Sequence, residues 1–313
     1  MKFRPTLATD ADLNKIRFPV LAFPKIDGVR AVNWDGTMTA RSLKPFPSKL
    51  LTSYYNSFIF KGFDGELTIG NITDSDLCRR TTSGVMTIES QLIPDWNLFD
   101  YVTEENFSKP YVERYIQLRD KYKEITDSYP ALRNHLRIVE YEKIYSYNEL
   151  LEYEKKIVNE GYEGIILRDP NAKYKFNRST VRDQVLLRLK RFYDAEAVVI
   201  DVQEGKENQN EAVKNELGLT SRSTISENMV GNGMVGSLVC KLFSDIEVGN
   251  IKFSKDFEFI VSPGKLTHTE RQFYFNNKDK IVGRIIKFKF FATGIKDSFR
   301  FPTFQTFRDK KDM

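Results

Sequence analysis

Pro24-Lys25-Ile26-Asp27-Gly28-Val29-Arg30 is the stretch from which the rest of the chain can be read. One apolar run, residues 18–23, precedes it and another, residues 29–34, follows it. The pattern predicts strand, tight turn and strand, with Gly28 at the turn. A lysine at such a junction is held by the backbone while its tip points into a cleft. Its amine is a nucleophile only when neutral, and burial beside other cations favours that form. Arg30 is close enough in sequence to be one such cation. Asp27 is placed to orient the amine or to meet a metal-bound water. Read alone, the pattern K-x-D-G describes a surface Lys-Asp pair on a hairpin equally well.

The chain has 313 residues, 41% hydrophobic and 29% charged, enough for a buried core in one large domain or two ordinary ones. A net charge of +5 suits a polyanionic partner without requiring one. Two distant cysteines, Cys78 and Cys240, supply neither a disulfide framework nor a Cys-rich zinc site. Two histidines, His135 and His268, are too few for a His-based metal site or dyad. No apolar run approaches the roughly 20 residues that span a bilayer, and the first residues carry no secretory core, so the expected location is the cytosol.

Downstream, acids and cations recur in patterned surroundings. Arg41-Ser42 ends a strand before a Pro-rich turn, a position that suits either a phosphate contact or a solvated arginine. Gly62-Phe63-Asp64-Gly65-Glu66-Leu67-Thr68-Ile69 sets Glu66 among apolar residues after a glycine, although Asp-Gly is also a common hairpin turn. Residues 70–92 are polar and rich in Ser and Thr, with Arg79 and Arg80 as possible phosphate partners, in a loop or a helix. Residues 96–102 read as a strand with Phe99 at its centre. Tyr111, Tyr115, Leu118, Tyr122 and Ile125 fall at helical spacing. Residues 136–141 read as a strand. Ser146 and Glu149 form a capping box that opens a helix ending near Gly161. That helix delivers Gly161-Tyr162-Glu163-Gly164-Ile165-Ile166-Leu167-Arg168, an acid before a glycine at a strand start. Residues 173–183 interleave cations and aromatics, as a backbone-contacting segment or a solvated loop would. Leu186-Leu187-Arg188-Leu189-Lys190-Arg191 alternates, with Arg188 and Lys190 on one face.

From Asp194 onward the composition changes. Residues 204–236 are rich in Asn, Glu, Gly, Ser and Thr and read as a long, mobile loop or insertion, in which Lys206, Lys214 and Arg222 suit either contacts to a polyanion or a solvated surface. Strands are expected at 237–243, 257–261 and 284–291, a set that fits a small β-barrel. The chain closes on Asp297-Ser298-Phe299-Arg300-Phe301-Pro302-Thr303-Phe304 and Arg308-Asp309-Lys310.

Taken in order, these stretches resemble the motifs of the covalent nucleotidyltransferases: ATP-dependent DNA ligases, RNA ligases and mRNA capping enzymes. Residues 25–30 resemble K-x-D-G-x-R, residues 63–67 F-D-G-E-L, residues 163–168 E-G-x-x-x-R/K, and residues 188–190 K-x-K with arginine in place of the first lysine. Arg41-Ser42 and Phe99-Asp100 fall where the family has R-S/T and its purine-stacking aromatic. The ending resembles the final DNA-ligase motif, with its R-x-D-K shortened. The likeness runs over nearly the whole chain and is to an ATP-dependent DNA ligase of the minimal, two-domain, phage-like type.

That resemblance implies an α+β fold. Residues 1–192 would form an adenylation domain of antiparallel sheets with flanking helices, and residues 193–313 an OB-fold β-barrel that swings about a hinge near 192–194. It implies ATP and Mg²⁺, with Mn²⁺ as a possible substitute. Lys25 would take AMP onto its amine, pass it to the 5′-phosphate of nicked double-stranded DNA, and release it when the 3′-hydroxyl attacks. Lys25 and Lys190 would be catalytic, any acid–base role falling to Lys190 because arginine stays charged. Pro24, Lys25, Arg30, Arg41, Glu66, Phe99, Glu163, Arg188, Lys190, Arg300 and Arg308 would bind the nucleotide, and Glu66 and Glu163 the metal. Which terminal cation faces the pyrophosphate is left open. A monomer without membrane attachment is expected. RNA ligation and guanylyl transfer share the lysine chemistry but fit the tail and barrel less well. A non-catalytic binding module would form no lysyl-AMP.

Overall fold

Val20–Pro24 and Val29–Asn33, the strands on either side of Lys25, do not pair with each other. In the computed structural model, which describes residues 3–248, 251–292 and 294–308, they lie in different sheets. Val20–Pro24 belongs to a five-stranded sheet ordered Thr9–Asp10, Leu186–Leu189, Ile165–Arg168, Val20–Pro24, Glu142–Ile144. Val29–Asn33 belongs to a second, ordered Met38–Ala40, Val29–Asn33, Phe63–Thr68, Asp95–Tyr101, Leu136–Ile138. The expected lysine hairpin is therefore a crossing from one sheet to the next. The reason lies in the burial of Val20, Leu21, Ala22 and Phe23, which are all between 0% and 4% exposed. A strand covered on both faces takes partners on both edges, here Ile165–Arg168 and Glu142–Ile144. Gly28 is needed for close approach: a Cβ there would come within 2.2 Å of the Leu67 carbonyl oxygen. The strand expected at 136–141 stops at Ile138 in the second sheet, and the chain then makes the same kind of crossing to the first sheet, where Glu142–Ile144 pairs.

Helices cover each sheet. Tyr111–Ser128 buries Tyr111, Tyr115, Leu118 and Ile125 in the core that contains Phe63, Trp96 and Leu98. Tyr147–Asn159 buries Leu150, Tyr153 and Ile157 in the core that contains Val20, Ala22 and Leu167. Ser146 caps the latter by accepting from the Glu149 N–H at 3.3 Å, and Gly161 follows its end at φ 96°. Within 70–92, Leu77–Met86 is helical and buries Leu77, Thr81 and Val85.

The chain divides into two compact units, Met1–Lys190 with Glu216–Gly218, and Arg191–Asn215 with Leu219–Met313. The second contains a five-stranded antiparallel sheet ordered Glu258–Val261, Met229–Leu242, Tyr193–Asn208, Ile285–Phe291, Arg300–Arg308. Its core includes Val199, Leu238, Cys240, Phe259, Phe288 and Phe299. Residues 204–236 are not the expected loop. Tyr193–Asn208 and Met229–Leu242 stay paired as far as Asn208 opposite Met229, and the connection holds a small hairpin, Ala212–Lys214 with Thr220–Arg222. Asparagines that mark this stretch as loop-like stitch it instead. The Asn208 and Asn210 side-chain amides donate to the Ser223 carbonyl at 2.7 and 3.0 Å, and Asn210 also donates to that of Ile225. A helix the sequence reading omitted, His268–Asn276, starts at a capping box of Thr267 and Glu270. The architecture is α+β with mostly antiparallel sheets. Cys78 and Cys240 are free thiols, and no helix among the described residues is long and apolar enough to cross a membrane.

Candidate active site

Three neighbouring strand ends of the first sheet bring three charged side chains together. The Lys25 N–H donates to the Gly164 carbonyl at 2.8 Å, and the Glu163 N–H donates to the Lys25 carbonyl at 3.2 Å. Ile165 lies opposite Leu189, so Lys190 follows on the far side. Gly164, at φ 148°, admits this convergence, since a Cβ would come within 2.3 Å of the Leu189 carbonyl oxygen. Glu163 then accepts from both amines, from Lys25 Nζ on Oε2 and from Lys190 Nζ on Oε1. Its side chain is 3% exposed, against 20% for Lys25 and 14% for Lys190. Burial, and then the nearby Lys25 charge, push the Lys190 ammonium below its ordinary pKa.

The second sheet supplies the facing wall. Arg30 lies opposite Glu66, and its guanidinium grips Asp64, two residues back along that strand, through two bonds of 2.6 Å. Burial raises the Glu66 carboxyl to about 7, against the opposing pull of Lys25 and Arg30. A folded value above the ordinary 4.5 means that Glu66 contributes stability fully below about 4.5 and loses it as pH rises through about 7. In denaturant titrations of the nucleotide-free protein, Glu66→Gln should therefore gain on the parent across that window. A stability difference that stays flat from pH 4.5 to 7 would refute the assignment.

Between the walls lies an open cleft. Phe23, Ile26, Phe99, Val139 and Ile166 are its apolar lining, and Lys25, Arg30, Glu66, Arg168, Arg178 and Arg188 its charged lining. Phe99 is half-buried, with the guanidiniums of Arg30 and Arg168 at 5.0 and 5.4 Å from its ring centre. Arg188 donates to Asp10 at 2.7 Å. An apolar slot beside converging cations is suited to a base at one end and phosphates at the other.

No family model and no curated protein matches the sequence. Solved structures match it end to end. Two structures of Chlorella virus DNA ligase-adenylate are 26% and 27% identical to it. They cover 98% and 99% of this chain and 100% and 99% of theirs, with TM-scores of 0.52 and 0.53. Over its whole length the chain is similar to the minimal ATP-dependent DNA ligases. In fold it is also similar to a structure from a study of Lig E DNA ligases, at 23% identity, with 98% of this chain and all of that one covered and a TM-score of 0.70.

Set beside a ligase's requirements, the residues singled out from the sequence fall into two groups. Pro24, Lys25, Arg30, Arg41, Glu66, Phe99 and Arg188 line the cleft, Glu163 joins it through its ion pair with Lys25, and Lys190 through its own with Glu163. Arg300 and Arg308 belong to the second unit, where they bound the strand Arg300–Arg308 and Arg308 Nε lies 3.2 Å from Glu196. Asp309 and Lys310 lie outside the described residues. The sequence reading passed over Asp64, Asp100, Arg168 and Arg178. The first three sit inside or next to quoted motifs, and their signal was the acid or base beside the residue chosen. Among the described residues no group of three or more His, Cys, Asp or Glu could hold a metal. Glu66 and Glu163 are the two carboxylates that the sequence offers for a metal. A pair of this kind fits Mg²⁺ carried chiefly by phosphate oxygens and water rather than a protein cage.

Proposed function

We propose that this chain seals 3′-hydroxyl/5′-phosphate nicks in duplex DNA, using ATP to charge Lys25 with AMP. The observation that carries the reading is the triad Lys25–Glu163–Lys190 beside a cleft that Lys25, Phe99 and several arginines line. Residues 1–192 act as the adenylation domain and residues 193–313 as an OB-fold whose Arg300 and Arg308 attend the pyrophosphate.

In the first step the Lys25 amine attacks the α-phosphorus of ATP. The nitrogen–phosphorus bond forms as the bond to the bridging oxygen breaks, and pyrophosphate leaves. Lys25 must first give up a proton. Glu163, already bonded to that ammonium, orients the amine and is the acceptor within reach. Lys190, on the other oxygen of Glu163, keeps a second cation beside the reacting phosphate and has the lowered pKa suited to moving a proton. Arg188 adds fixed charge, and Arg41 stands at the cleft for the phosphate end. Phe99 stacks on the base. Glu66 and Glu163 would hold Mg²⁺, which would supply charge neutralisation at the phosphates.

The chain acts as a monomer. Lys206, Lys214 and Arg222, all exposed in the second unit, add DNA-backbone contacts whose strength falls with salt. Incubation with labelled ATP or GTP, followed by nicked DNA or nicked RNA, tests the assignment. Label from ATP alone and sealing of DNA alone are expected. Label from GTP would mark a capping activity, sealing of RNA an RNA ligase, and absence of any covalent label a binding module.

A further inference from the structure

Asp64 and Asp100 lie opposite each other on adjacent strands of the second sheet, 0% and 1% exposed. Each grips arginine. Asp64 holds Arg30. Asp100 accepts from Arg114 at 3.0 and 3.2 Å and from Arg168 Nη1 at 3.0 Å. Phe99 is the chain neighbour of Asp100, and its carbonyl accepts from the Tyr111 hydroxyl at 2.5 Å. The Arg168 guanidinium stands 4.4 Å from the Tyr111 ring centre and 5.4 Å from that of Phe99.

Arg168 comes from the other sheet. It closes the strand Ile165–Arg168, which begins directly after the Glu163-Gly164 pair that holds Lys25. The Arg168–Asp100 bridge therefore ties the sheet bearing Phe99 to the sheet bearing the two lysines. An apolar pair would pack such a spot at no loss of stability, because desolvating both charges offsets most of their attraction. What the ion pair adds is a fixed geometry: a bonded guanidinium against two rings and a carboxylate held by two arginines.

We propose that Arg168 is a positioning residue for the nucleotide base: through Asp100 and the Phe99 ring it sets where the purine rests relative to Lys25. The inference rests on the ligase reading and deepens it. Loss of the bridge should loosen the base without altering the reacting groups, so it should appear in KM for ATP rather than in kcat of self-adenylation. AMP already joined to the 5′-phosphate of a nick is delivered by the DNA, at an effective concentration that does not depend on the base platform.

The full chain and its Arg168→Met and Arg168→Lys variants are compared in two reactions, self-adenylation against ATP concentration and sealing of a pre-adenylated nick. Arg168→Met should raise KM for ATP about tenfold, with kcat and pre-adenylated sealing within about threefold of the parent. Arg168→Lys, which keeps the charge and a bond to Asp100, should recover part of the loss while melting near the parent temperature. An unchanged KM in both variants overturns the proposal. So does an equal fall in both reactions in the well-folded lysine variant, which would mark a general structural role. A parent protein that seals the pre-adenylated nick no better than buffer, and takes no AMP, overturns the ligase reading itself.

Discussion

Lys25→Ala should abolish covalent AMP. Given ATP and Mg²⁺, the parent protein should gain the mass of one AMP, and peptide mapping should find it on residue 25. The alanine variant should stay at its unmodified mass. Sealing of an ordinary nick should fall at least about 10⁴-fold, the scale seen when a covalent nucleophile is removed and only binding remains. The effect is chemical rather than structural. Lys25 is held through its backbone, by the bonds to Gly164 and Glu163, and those survive the substitution. Glu163 keeps its second partner, Lys190. The melting temperature should therefore move little. AMP found on another residue in the alanine variant would show that the reactive amine lies elsewhere.

Glu163→Gln should be the next most damaging change, lowering self-adenylation by about 10²- to 10³-fold. The carboxylate is buried and accepts from two ammoniums at once. Glutamine keeps the shape but leaves two neighbouring cations without their shared counter-charge, and breaking a buried pair in this way typically costs about 3–5 kcal/mol. Part of that cost is fold stability, so a lower melting temperature is expected together with the slower reaction. A single-turnover rate equal to the parent's would show that Glu163 serves only to pack the strand ends. The two variants separate the roles: one removes the nucleophile and spares the fold, the other removes the group that orients it and strains both.

Several of these side chains were legible because short-range chemistry puts them there. Glu66 and Glu163 each stand beside a glycine next to apolar residues, Lys25 follows an apolar strand three residues before Gly28, and Arg188 and Lys190 alternate along one face, so local pattern suffices. Arg168 and Asp100 were not legible in the same way. Nothing in residues 163–168 indicates that the arginine ending that run meets an acid from Asp95–Tyr101, since 68 positions separate the two. The stretch 204–236 misled for a related reason. Its Asn and Gly composition is that of a loop, yet side-chain amides and cross-strand pairing hold it as extended strands.

The sequence by itself determined the order of the reactive elements, the helices Tyr111–Ser128 and Tyr147–Asn159 and the chemistry available at each position, because those depend on residue type and spacing along the chain. Tertiary structure alone decided that the lysine segment crosses between two sheets, that Glu163 serves two lysines, and that a buried arginine ties the base platform to them. Strands buried on both faces choose partners by burial and register rather than by proximity in sequence, and it is that choice which brings distant charges within hydrogen-bond reach.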